Sequence, residues 1–153
     1  MEGVPMRNFT IYPQYIGASK IVDDFRAKTN QMFNSWDNYT PQDIEECARR
    51  EIEHIIYEIE YLSSSEFNIV DIILAGSRSR GLERKRSDID IVVEYTGSMR
   101  EDDAFDMFAR RRIYIGGHRV DINPIKAEDS GTLDTYLPKA EKYLENKARG
   151  IKP

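Results

Sequence analysis

Residues 69–93 constrain the fold and chemistry of this chain more than any other segment. An apolar run leads into a small corner, Gly76-Ser77, and after a basic loop Asp88 and Asp90 open a second apolar run. Alternate side chains of a β-strand point to the same face, so the two aspartates are expected to project together, away from the intervening apolar residues. The segment therefore predicts two core strands joined by a polar loop.

The polar groups of this loop suit a polyphosphate and a divalent cation. Gly76 has no Cβ that would block access to its backbone N–H, and Ser77 adds a hydroxyl. Residues 78–86 carry four arginines and one lysine against one glutamate, in a chain with a net charge of -5. Neighbouring carboxylates repel each other unless a cation lies between them, and Mg²⁺ binds through one or two carboxylates together with substrate phosphates. The basic loop equally fits a solvated surface.

A third acid, Asp121, is expected at the same place. Residues 112–122 contain two alternating runs around a Gly-Gly pair, which predicts a β-hairpin. In its second arm Val120 and Ile122 share one face, and Asp121 lies on the other. If this arm pairs beside the strand of Asp88 and Asp90, three carboxylates converge, enough for two metal ions about 4 Å apart. Asp121 also fits a strand residue that simply faces water.

The pattern resembles the DNA polymerase beta-like nucleotidyltransferase superfamily. It is most similar to the small prokaryotic minimal nucleotidyltransferases, whose hallmark reads Gly-Ser-x-Ala-Arg-Gly, a spacer, then Ser-Asp-x-Asp. The likeness covers about residues 66–126 and departs from the hallmark at Ser79, where alanine is usual. It implies Mg²⁺ as cofactor, with two ions in the site and Mn²⁺ as a substitute. The site residues that it implies are the metal-binding and catalytic Asp88, Asp90 and Asp121, and the nucleotide-binding Gly76, Ser77, Arg80 and Ser87.

The resemblance also implies a reaction, which we state as an expectation. The protein would transfer AMP from ATP, or another nucleoside monophosphate, to a hydroxyl acceptor, with Arg80 neutralising charge as pyrophosphate leaves. No segment after Asp121 matches the helical substrate domain of larger relatives, which favours a protein acceptor, such as the tyrosine of a partner toxin. A small-molecule acceptor of the aminoglycoside kind, or a non-catalytic module that binds a nucleotide or a partner, remain the alternatives.

The order of predicted elements indicates an α+β fold. Helices are expected at residues 18–35, 41–63 and 132–147, with a shorter one after a capping-box pattern at 98–101. A small mixed sheet would carry its helices on one face and leave the other open for the acids. The predicted division is an N-terminal extension, residues 1–38, and a nucleotidyltransferase domain, residues 39–150. The apolar stripe of the extension would be core or a surface for a partner or for dimerisation.

Composition agrees with a cytoplasmic globular protein. The 153 residues are 40% hydrophobic and 32% charged, and no apolar run reaches membrane-spanning length. The acidic balance argues against broad nucleic-acid binding, which is mostly electrostatic. The one cysteine, Cys47, is expected to be a core residue, because it has no second cysteine for a disulfide or zinc site. Asp71 is read as structural and His118 as a turn residue.

Overall fold

The computed structural model describes the backbone of residues 13–62 and 64–151, and the side chains of residues 20–60 and 64–151. The sequence also predicts that Phe9, Tyr12 and Tyr15, in the segment 1–16, lie against another part of the protein, but these residues lie outside the described side chains. The elements in chain order are α1 (Pro13–Met32), α2 (Pro41–Leu62), β1 (Asn68–Ala75), β2 (Ile89–Thr96), α3 (Glu101–Ala109), β3 (Tyr114–Ile115), β4 (His118–Ile125) and α4 (Leu133–Ala148), with a short 3-10 helix at Ser77–Arg80.

The helices follow their sequence signals closely. Helix α2 begins where Thr40 and Asp43 cap each other, because the Asp43 N–H donates to the Thr40 hydroxyl and the Thr40 N–H donates to the Asp43 carboxylate. Helix α1 begins earlier than expected, at Pro13. The capping box predicted from Ser98 is wrong, because Ser98 instead accepts the N–H of Glu66, and α3 begins after Arg100. No helix in the described part of the chain is long and apolar enough to cross a membrane.

The four strands form one mixed sheet in the order β1-β2-β4-β3. Strand β2 is antiparallel to β1 and parallel to β4, while β3 and β4 form the predicted hairpin. Gly116 and Gly117 turn this hairpin with φ of 55° and 82°, values that glycine adopts without strain. The α+β fold class with a small mixed sheet is therefore confirmed.

Helices cover both faces of the sheet, so the expectation of helices on one face only is wrong. Helices α2 and α3 pack on the face that carries Ile72, Leu74, Ile89, Ile91 and Val93. On the other face, α1 and α4 form a second core with Ile73, Ala75, Val92 and Ile125. Strands with two buried faces read as continuous apolar runs, as β1 and β2 do. The side chains of Asp90 and Asp121 project from the second face, in a part of the sheet that α1 and α4 leave open.

Helix α1 is part of this folded unit. Its Val22 and Phe25 are buried in the second core, and Trp36 in the following loop packs against the first core. Arg26 of α1 donates to both Glu45 and Asp71, which confirms the structural reading of Asp71. The apolar stripe of residues 20–38 is thus used within the chain. The division at residue 38 and a partner role for the first segment stay predictions.

A buried arginine joins α1, α4 and the 3-10 helix. The Arg80 side chain is 1% exposed and forms an ion pair with Glu141 of α4. Its remaining N–H groups donate to the Thr29 hydroxyl and to the carbonyls of Phe25 and Ser79. The guanidinium also lies over the Phe25 ring, 4.1 Å from its centroid. All donors of Arg80 are therefore engaged in holding the helices to the corner that follows β1.

We expect Arg80→Met to destabilise the protein strongly. The change removes the donor to the Thr29 hydroxyl and the Ser79 carbonyl and leaves Glu141 without its buried partner, a loss of about 3 kcal/mol in the free energy of unfolding. The matched control is Lys28→Met, which removes the other ion pair of Glu141. Because the Lys28 side chain is 41% exposed, the control should cost less than about 1 kcal/mol. Urea unfolding measures both, and equal losses would contradict the prediction.

Candidate functional site

The acids predicted from the sequence lie on adjacent strands. Asp90 of β2 is directly opposite Asp121 in the parallel pair β2–β4, and opposite Ala75 in the antiparallel pair β1–β2. Asp88 lies just before β2 and is exposed, as is Asp121, whereas Asp90 is partly buried in the middle of the sheet. Ile89 and Ile91 are fully buried on the opposite face, as their alternation predicted. The strands thus bring carboxylates together at one edge of the open face.

The Gly-Ser corner touches the central carboxylate. Gly76 has φ of 66°, and a Cβ built on it would lie 2.0 Å from Oδ2 of Asp90. A side chain therefore has no room there, and the positive φ independently favours glycine. Ser77 opens the 3-10 helix and is largely buried, and its carbonyl accepts the N–H of Leu82. The corner is held against Asp90 as one compact unit.

The electrostatics of Asp90 reflect this crowding. Burial and, to a smaller extent, the charges of Asp121 and Asp88 raise the pKa of its carboxyl to about 6, while Lys147 and Arg78 act in the opposite direction. Each of these four charges is therefore close enough to Asp90 to act on it. A carboxylate with this environment is stabilised by a cation placed beside it.

An open cavity of about 600 Å³ lies over these residues. Its floor is formed by the ends of three strands and the corner, namely Ala75, Gly76, Ser77, Asp90, Ile91, Val92, Asp121 and Asn123. Its other wall is formed mainly by α4, with Phe105 of α3 at the side, and comprises Tyr136, Lys139, Ala140, Tyr143, Leu144 and Lys147. Phe105 and Tyr143 are each about half exposed. The cavity is large enough for a small ligand and has both aromatic and charged groups.

Two of the predicted nucleotide-binding residues have other partners. Arg80 does not line the cavity, and its donors are all engaged, so the expectation that it contacts the departing phosphates is corrected to a structural role. Ser87 does not line the cavity either. Its hydroxyl accepts the N–H of Arg84, which closes the turn before Asp88. Both residues shape the loop that carries the acids.

Arg78 connects this loop with the hairpin. Its guanidinium donates twice to the Ser87 carbonyl, next to Asp88, and contacts Nδ1 of His118, at the start of β4. It also lies over the Trp36 ring, 4.9 Å from the centroid. Burial and the Arg78 charge lower the pKa of His118, which favours a neutral ring that can accept this hydrogen bond. Arg78 thereby fixes the loop before β2 relative to the strand that carries Asp121.

The sequence did not identify the α4 wall of the cavity as functional. The sequence predicts a helix here but gives no functional role to its side chains. Lys139, Tyr143 and Lys147 are spaced four apart, which places them along one face of the helix. That four-residue spacing is the sequence signal that could have identified this face of α4. Without the sheet in place, nothing in the chain shows that this face meets the acids.

The same geometry bears on metal binding. Within residues 13–62 and 64–151 there is no group of three or more His, Cys, Asp or Glu side chains positioned to hold a metal ion. The paired positions of Asp90 and Asp121, with Asp88 near enough to act on Asp90, nevertheless provide the oxygen donors that Mg²⁺ prefers. The three-carboxylate metal site therefore stays a prediction.

The comparison with protein families agrees with this geometry. A family described as nucleotidyltransferase domain matches residues 56–148, more than half of the chain, and includes β1 to β4 and the whole of α4. The protein therefore belongs to the nucleotidyltransferase domain family. Searches of curated proteins and of solved structures found no match. The narrower likeness to the minimal, antitoxin-type members rests on the motif alone.

We expect Gly76→Ala to destabilise the protein more than Gly117→Ala. Both glycines have positive φ, but a Cβ at Gly117 meets no atom within 4 Å. The control, Gly117→Ala, therefore reflects backbone strain alone, which lowers the free energy of unfolding by about 1 kcal/mol. Gly76→Ala adds a clash with Asp90, for a total loss of about 3 kcal/mol. Urea unfolding of the two variants measures the difference, and equal losses would show that the corner does not press on Asp90.

We expect Asp90→Asn to stabilise the metal-free protein at pH 7.5. The pKa of Asp90 rises from an ordinary value near 3.8 to about 6 in the folded state, so its charge opposes folding above pH 6. As the pH falls from 6 to 4, the folded protein takes up the proton and the penalty disappears. The stability gained by Asp90→Asn should therefore become smaller as the pH falls from 6 to 4. Unfolding midpoints in EDTA measure it, with the exposed Asp23→Asn as control, and a gain that is independent of pH would contradict the prediction.

Proposed function

We propose that this protein is a magnesium-dependent nucleotidyltransferase that moves AMP from ATP to a hydroxyl acceptor. The observation that carries the proposal is the pairing of Asp90 with Asp121 on adjacent parallel strands, directly beside a corner whose glycine leaves room only for backbone. The family match to a nucleotidyltransferase domain supports the general reaction. The nucleotide, the metal and the acceptor are parts of the proposal.

The donor set suits magnesium. Asp90 and Asp121 would hold the ion, and the exposed Asp88 has the freedom to turn toward it. When bound, Mg²⁺ would supply positive charge that offsets the charge of the triphosphate and of the carboxylates. The raised pKa of Asp90 agrees with a site in which negative charges are gathered for a cation. Mn²⁺ takes similar oxygen ligands and would substitute.

In the proposed reaction, Asp121 and the Gly76–Ser77 corner would have different roles. The acceptor oxygen attacks the α-phosphorus of ATP and forms the new bond, while the bond from that phosphorus to the bridging β-oxygen breaks and pyrophosphate leaves. Asp121, which is exposed at the cavity floor, would receive the proton of the acceptor hydroxyl. The backbone N–H groups at Gly76 and Ser77 and the Ser77 hydroxyl would hold the terminal phosphates.

For the acceptor we propose a protein hydroxyl. The motif is similar to that of minimal nucleotidyltransferases, among which modification of a partner protein is expected. Phe105 and Tyr143 are half exposed beside the cavity, and exposed aromatic side chains are suited to contact another protein. A small amine-bearing sugar is the second acceptor class that the test must distinguish.

The test is transfer of label from α-labelled ATP. We expect label to appear on an added partner protein in the presence of Mg²⁺ and to be lost with EDTA. Asp88→Ala combined with Asp90→Ala, and separately Asp121→Ala, should reduce transfer to the level without enzyme. Asp23→Ala removes an exposed carboxylate of α1 that does not line the cavity, and it should leave transfer unchanged.

The outcomes separate the alternatives. Pyrophosphate release that depends on an aminoglycoside, with no protein present, would replace the protein acceptor by a small molecule. Transfer that survives the double aspartate substitution would place the chemistry elsewhere. Tight partner binding that is unaffected by all three alanine substitutions, without nucleotide or Mg²⁺ binding, would show a binding module instead of an enzyme.

A further inference from the structure

The arginines of the Gly-Ser corner are not available for a polyphosphate. Arg80 is buried with all its donors engaged, and Arg78 is 4% exposed, with its guanidinium directed to the Ser87 carbonyl and to His118. Neither residue lines the cavity. Besides the proposed Mg²⁺, a side-chain cation for a triphosphate bound at Gly76 and Ser77 therefore has to come from another element, because the corner itself offers only backbone N–H groups and one hydroxyl.

Helix α4 supplies the cations of this cavity. Among the lining residues in the described part of the chain, Lys139 and Lys147 are the only basic side chains. Lys147 is exposed and forms no ion pair with any described residue. This contrasts with Lys28, which also lies near α4 but is held by Glu141 and Glu145. Lys147 is therefore an uncommitted positive charge on the wall of the cavity.

The position of Lys147 along α4 puts it at the corner end of the cavity. Glu141 ties this part of the helix to Arg80 in the 3-10 helix, and Leu144 is buried in the same core as Ala75, the residue before Gly76. Lys147 follows Leu144 by three residues, or about 4.5 Å along the helix axis. Its charge also acts on the carboxylate of Asp90, which the corner touches.

We propose that Lys147 binds the polyphosphate of the nucleotide substrate, opposite the Gly76–Ser77 corner. The proposal rests on the proposed nucleotidyl transfer and names a substrate-binding residue for it. A lysine ammonium is a compact charge with three donors, which suits non-bridging phosphate oxygens. Lys139 lies two helical turns away, toward Tyr136 and Asn123, and is assigned no contact with these phosphates.

A purely structural reading of Lys147 makes a different prediction. Lys147 lies in the last turn of α4, where a cation interacts favourably with the helix dipole. That role would change the stability of the protein but would not distinguish one ligand from another. Binding of ligands with and without a polyphosphate therefore separates the two roles.

The experiment measures ligand binding without an acceptor. Isothermal titration with Mg-ATP, inorganic tripolyphosphate and AMP compares wild type with Lys147→Met, Lys147→Arg, Lys139→Met and Lys142→Met. Lys142 is an exposed lysine of α4 that does not line the cavity, so its variant is the matched control for charge and helix. Circular dichroism of each variant establishes that it is folded.

We expect Lys147→Met to weaken binding of Mg-ATP and of tripolyphosphate about tenfold to a hundredfold, as for the loss of a charged hydrogen bond. AMP binding should change less than about threefold, since AMP has no β- or γ-phosphate. Lys147→Arg should retain most of the affinity, and Lys139→Met and Lys142→Met should leave tripolyphosphate binding near that of wild type.

Three results would overturn the inference. Lys147→Met could bind tripolyphosphate as tightly as Lys142→Met, Lys139→Met could cause the larger loss, or Lys147→Met could weaken AMP and tripolyphosphate equally. Failure of the proposed function is a separate outcome, because label transfer would then persist without Asp88 and Asp90, or wild type would bind no nucleotide. If transfer depends on the acids while Lys147→Met binds polyphosphate normally, only the role of Lys147 is lost.

Discussion

The parallel pairing of β2 with β4 is the interaction on which the site depends. It sets Asp90 opposite Asp121, while the antiparallel pairing with β1 brings the following corner to the other side of Asp90. A shift of β2 by one residue would turn the side chains of Asp88 and Asp90 away from the open face and toward the first core. Such a shift is opposed because it would bury these charged side chains among apolar residues. The same packing that stabilises the sheet therefore positions its carboxylates.

Much of this arrangement could be predicted from the sequence. The spacing of Asp88 and Asp90 indicated their shared face, and the Gly-Gly pair indicated the hairpin that carries Asp121. Local patterns of this kind report strand alternation and turn chemistry, which depend on near neighbours. The predicted start of α2 at residue 41 is confirmed for the same reason, because the capping Thr40 hydroxyl is a local signal.

The parts that the sequence did not reveal depend on distant contacts. Arg80 belongs to the motif, but its structural role follows from its contacts with Glu141 and Thr29, which lie 61 and 51 residues away along the chain. Coverage of the second face by α1 and α4 likewise follows from tertiary packing, because an apolar stripe does not say which surface it meets. For the same reason, the sequence did not single out Lys147 as a residue that lines the cavity. A charged residue in a last helical turn looks like ordinary solvated surface until its neighbours are known.

The floor and the opposite wall of the cavity belong to elements with different structural roles. The floor belongs mainly to the hydrogen-bonded sheet, whose side chains alternate between two cores, whereas the opposite wall is formed mainly by α4, several of whose lining side chains are exposed. Substitutions at exposed positions of α4 can therefore alter the shape and charge of the wall with little loss of stability, while Asp90 and Asp121 stay paired. If the proposed function holds, ligand preference could therefore change through α4 while the strands that carry the aspartates stay the same.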